Sequence, residues 1–90
     1  MPEDLEGAAK RHKRLMQKLE DELNSAKRTF PPFNSGHEGY AVIKEEVDEL
    51  WDDVKQKGSS RYALAHEALQ IAAMGLRFIE DVVPDEIDRM

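Results

Sequence analysis

Along nearly the whole chain, apolar and small residues recur every three or four positions, the spacing that gathers side chains on one face of an α-helix. Leu5, Ala8, Ala9, His12, Leu15, Met16, Leu19, Leu23, Ala26 and Phe30 mark a first helical segment from about Asp4 to Thr29. The run FPPFNSGHEG then interrupts it, because Pro31 and Pro32 lack amide hydrogens and clash with a preceding helical turn. A second segment starts at Ser35, whose hydroxyl stands three residues before Glu38 in the spacing of a capping box. Its apolar positions are Tyr40, Ile43, Val47, Leu50, Trp51 and Val54, and Gly58 supplies the stop. Ser59 or Ser60 caps a third segment, about Arg61 to Val83, and Pro84 ends it, with DEIDRM adding a short turn.

The third segment is apolar on most of its circumference. One stripe holds Tyr62, Ala65, Leu69, Ala72, Leu76, Ile79 and Val83, and a second holds Leu64, Ala68, Ile71, Gly75, Phe78 and Val82. Burying both stripes takes more neighbours than the other two segments provide. The pattern therefore predicts an all-α fold, an antiparallel helical bundle of three main helices completed by homo-oligomerisation. No stretch shows the alternation of a strand.

Size and charge sharpen this picture. Ninety residues allow one domain, spanning 1–90, and a chain of this mass buries only about 64% of its extended surface when folded alone. The net charge of −6 argues against a specific nucleic-acid partner, which would call for a basic face. With no cysteine, disulfides, zinc–thiolate sites and a thiol nucleophile are excluded. The sequence contains no apolar run long enough to span a membrane, and MPEDLEGAAK does not read as a signal peptide, so the expected location is the cytoplasm with no membrane partner. Neither HExxH nor a Gly-rich phosphate loop is present.

Candidate chemistry lies in the carboxylates. Glu38 to Lys57 holds seven acids against three lysines. Glu49 stands one turn beyond both Glu45 and Glu46, so like charges share one face and a hard divalent cation would relieve their repulsion. On the greasy third segment, Glu67, Gln70, Met74, Arg77 and Asp81 form a polar-bearing stripe, and buried polar groups must find partners or a metal. If segments two and three pack antiparallel, Glu45, Glu46 and Glu49 face Glu67 and Gln70. Arg77 lies nearly three turns from Glu67, about 15 Å, which suits a distal phosphate or a structural pair with Asp81. Trp51 and Tyr40 can stack on a base, or belong to the core.

EEVDEL followed by HEALQ resembles the paired EExxE and ExxD motifs of MazG-like, all-alpha nucleoside triphosphate pyrophosphohydrolases, and the similarity covers about Phe30 to Val82. The resemblance implies a helical dimer or tetramer that uses Mg²⁺, with Mn²⁺ as a substitute, to cleave nucleoside triphosphates between the alpha and beta phosphates. It implies metal ligation by Glu45, Glu46, Glu49 and Glu67, with Glu46, Glu49 and Glu67 catalytic and the amide of Gln70 at the remaining ligand position; beside it, the residues themselves offer Glu38, Lys55, Trp51 and Arg77 as candidate substrate contacts. Gln70 departs from the pattern, since the second motif carries Asp there and an amide contributes neither charge nor basicity. The alternatives are a catalytically silent nucleotide- or metal-binding homologue and a structural helical interaction protein.

Overall fold

A computed structural model describes residues 4–90. The chain forms three long helices, α1 (Leu5–Thr29), α2 (Gly36–Lys55) and α3 (Arg61–Val82), then a short 3-10 helix over Pro84–Arg89. Each long helix opens on a side-chain cap that satisfies an otherwise orphaned amide. Asp4 accepts from Gly7 N at 2.6 Å, Ser35 from Glu38 N at 3.1 Å, and Ser60 from Ala63 N at 3.0 Å. The Glu38 carboxylate does not reach back as a capping box would; it accepts from Asn34 Nδ2 at 3.1 Å. Between α2 and α3 the chain reverses through Gly58, whose φ of +84° is a backbone conformation that side-chain-bearing residues rarely adopt.

The central element is α3. It packs against both other long helices, while α1 and α2 share no close backbone approach among the described residues. Leu23 and Ala26 of α1 meet Ala73 and Met74 of α3 in the core, with Phe33 from the crossing loop and Val42, Ile43, Phe78 and Val82 packed around them. The start of α2 lies against the end of α3, because Gly39 sits so close to the Phe78 ring that an added Cβ would stand 2.6 Å from Cδ2.

The loop between α1 and α2 is tied down by Arg77. Only 3% exposed, Arg77 donates to the Pro31 carbonyl at 2.7 Å, stacks over the Phe33 ring at 4.3 Å and stands 3.8 Å from Asp81. Asp81 in turn accepts from Phe33 N at 3.0 Å. A charge with this little solvent needs such partners, and they hold the loop across α3. The polar-bearing stripe of α3 is thus its most buried face.

Of the two apolar stripes on α3, the one holding Leu64, Ile71, Phe78 and Val82 is largely covered. The other is not: Ala65 and Ala72 are exposed, and Tyr62 and Leu76 keep 78% and 37% of their surface. The accessible surface is 7124 Å², against roughly 5,400 Å² for a compact monomer of this mass. The radius of gyration is 15.3 Å, where about 12 Å is usual for this length. None of the helices is long and apolar enough to cross a membrane, among the described residues.

Candidate functional site

Between α1 and α2, whose backbones do not approach each other closely, a cleft of about 310 Å³ opens over α3. Gln70, Met74 and Arg77 of α3 line it, Ser25, Ala26 and Thr29 stand on the α1 side, and Phe30, Pro31 and Phe33 of the crossing loop also border it. Glu22 of α1 and Glu38 and Glu46 of α2 bring three carboxylates to the same cleft. Its volume falls in the range of small-molecule sites, and it joins apolar surface to a few convergent polar groups.

Glu46 is the electrostatic centre of this arrangement. It is half-buried, and its Oε2 is shielded from solvent with no hydrogen-bond partner. Burial raises its pKa above the usual carboxylate value; Glu49, Glu45 and Glu22 push it further up, and only His66 opposes them. From α3, Glu67 meets this group. Its side chain lies at hydrogen-bonding range of Asp53, which raises its pKa foremost, followed by burial and by the charges of Asp53, Glu49 and Glu46. Glu67 Oε2 is likewise shielded and lacks a donor. Both shifts run in the same direction, so the shielded oxygens of Glu46 and Glu67 lie where negative charge is disfavoured.

The expected residues divide into three sets. Glu46, Glu49 and Glu67 act on one another electrostatically, and Glu45 adds its charge from an exposed position. Glu38, Gln70 and Arg77 line the cleft, with Gln70 half-buried. Trp51 and Lys55 do not line it: Trp51 is 58% exposed, and Lys55 lies 5.6 Å over its ring and 3.3 Å from Asp52. Arg77 is engaged by the loop and by Asp81, as the structural pair requires, while its Nε is shielded from solvent without a partner at the cleft.

Two contributors were not singled out by the motif spacing. Asp53 stands one turn beyond Glu49 and reaches Glu67, while Glu22 approaches from α1. The i,i+4 step from Glu49 to Asp53 was a usable signal for the first; nothing local signals the second.

As the side chains stand, no three His, Asp or Glu among the described residues converge closely enough to hold one metal ion. The donor chemistry nonetheless fits a hard cation. All the groups are oxygen donors, and the shielded, donor-less oxygens of Glu46 and Glu67 come from two different helices.

No protein-family model matches this chain, and neither does any curated protein or solved structure.

Proposed function

We propose that the protein is a Mg²⁺-dependent nucleoside triphosphate pyrophosphohydrolase of the MazG-like kind, working in the cytoplasm and assembling with copies of itself. The observation that carries this reading is the pair of solvent-shielded carboxylate oxygens, Glu46 Oε2 and Glu67 Oε2, that lack any donor. Uncompensated acceptors of this type cost stability, and a function that uses them accounts for their retention. The antiparallel course of α2 and α3 in this reading is supported by Gly39 meeting Phe78 at one end and Asp53 meeting Glu67 at the other.

A triphosphate could not approach Glu22, Glu38 and Glu46 without neutralisation, which is why a cation belongs to the reading. Bound Mg²⁺ supplies charge neutralisation at phosphate oxygens and makes a coordinated water more acidic. Glu46 and Glu49, one turn apart on α2, and Glu67 on α3 would be the carboxylates to hold it, once their side chains turn closer together than they stand in the structure. Asp53, the carboxylate beside Glu67, would stand in for the one that Gln70 does not offer and would accept the proton lost by the attacking water. The apolar lining from Ala26, Phe33, Val42 and Met74 accommodates base and sugar, and Gln70 offers an amide to their polar edges.

Two measurements test the reading. Millimolar Mg²⁺ or Mn²⁺ should raise the thermal midpoint, and nucleoside triphosphates should release pyrophosphate in a reaction abolished by Glu46→Ala with helical circular dichroism unchanged. A metal-induced rise without turnover would favour the silent nucleotide-binding homologue, for which Gln70 speaks. The absence of any metal effect would end both readings.

A further inference from the structure

We propose that a second copy of this chain covers the side of α2 and α3 that faces away from the cleft. This deepens the self-assembly in the reading above by assigning it a face. On α2, Tyr40, Val47, Trp51 and Val54 are 63%, 44%, 58% and 53% exposed. At about 100° per residue these four fall within a stripe roughly 60° wide, on the far side of the helix from Glu38, Val42 and Glu46. On α3, Ala68, Ala72 and Leu76 are also exposed, on the far side from Gln70, Met74 and Arg77, while the exposed Ala65 beside them turns toward α1. Both stripes therefore stand on the same side of the α2–α3 layer, forming one apolar surface with the cleft behind it.

Area argues for a copy of the chain as the occupant. The accessible surface exceeds that of a compact monomer by roughly 1,700 Å², within the 1,000–2,500 Å² or so that each partner loses in an obligate homodimer. An excess of this size fits a fold that reaches its normal compactness only when paired.

Charge selects this side over the other. The ions bordering the α2 stripe are already matched within the helix, Lys44 with Asp48 at 2.8 Å and Lys55 with Asp52 at 3.3 Å, and on α3 the one ion at the angle of the stripe is the exposed Arg61, a cation rather than a further acid. The cleft side carries Glu38, Glu46, Glu49 and Asp53, and two copies apposed there would bury uncompensated negative charge. Tyr40 and Trp51, the large aromatics of the stripe, are the kind of residue that dominates interface energetics. The Leu15, Tyr62 and His66 groove between α1 and α3 is the rival surface.

Sedimentation equilibrium over a dilution series, in metal-free buffer without nucleotide, tests the face independently of catalysis. The expected mass is twice the 10.3 kDa of one chain. Trp51→Glu and Val47→Glu should each weaken the dimer at least about 30-fold, and Leu15→Glu should leave it intact. Trp51 is the only tryptophan, so the wild-type emission should shift to longer wavelength as dilution separates the copies, without any variant having to fold. A 10.3 kDa mass with solvent-exposed Trp51 emission at every concentration would overturn the proposal, as would dissociation by Leu15→Glu alone. Neither result would bear on pyrophosphate release, which is read separately.

Discussion

Replacing Arg77 separates its two conceivable roles. The side chain is 3% exposed, and truncation to Met would delete the 2.7 Å bond to the Pro31 carbonyl, the stacking on Phe33 and the charge opposite Asp81. A hydrogen bond from a charged donor contributes about 1.5–3 kcal/mol and a desolvated cation–π contact about 2 kcal/mol. Asp81, itself only 15% exposed at its side chain, would be left beside an apolar residue, so the loss should reach the 3–5 kcal/mol or so seen when one member of a buried pair is removed. Arg77→Lys keeps the charge but not the planar fork, and should cost about half as much. Urea denaturation followed by circular dichroism, with the denaturant slope compared between variants, measures both. A loss under about 1 kcal/mol for Arg77→Met would refute the clamp and return Arg77 to the phosphate role.

Three further outcomes follow from the structure. Gly75→Ala should stabilise by about 1 kcal/mol and raise the thermal midpoint by about 4–8 °C, since nothing lies within 4 Å of the new Cβ; a fall in midpoint would contradict the packing. Gly39→Ala should not share that gain, because its Cβ meets Phe78 Cδ2 at 2.6 Å and Phe33 Cδ2 at 3.2 Å and overpacking costs about 1–3 kcal/mol. Glu46 and Glu67 have raised pKa values, so their ionisation opposes folding: the penalty is absent below the ordinary value of 4.5 and grows as pH rises through the shifted value. Without metal, Glu46→Gln and Glu67→Gln should therefore be more stable than wild type at neutral pH and lose that advantage as pH falls toward 4.5; a difference that does not vary with pH would refute the shielding of these carboxylates.

Much of this architecture was legible because its signals are local. Ser35 and Ser60 cap the helices they precede, and Pro31, Pro32 and Gly58 mark the breaks. Capping and turn chemistry act within four residues and need no knowledge of the fold. The electrostatic association of Glu46, Glu49 and Glu67 was legible too, since acids on a half-buried helix must face something. Trp51 was harder to place: the apolar positions of α2 form one broad arc, and spacing alone does not say which edge of it meets α3. Arg77 showed its i,i+4 partner Asp81, but its bond to Pro31 spans 46 residues and depends on the route of the loop. Asp53 reaches Glu67 only because of which turn of α2 sits opposite α3, a matter of tertiary register.

The separation of α1 from α2 has a mechanical consequence. The close backbone contacts of α1 are with α3 and not with α2, so a tilt of α1 would leave the α2–α3 backbone contacts in place. Such a tilt widens the opening at Ser25 and Thr29 yet preserves the spacing of Glu46, Glu49, Asp53 and Glu67. A bulkier occupant would then be accommodated on the α1 side of the cleft, the side that brings Glu22 toward Glu46, with the carboxylates of α2 and α3 keeping their spacing.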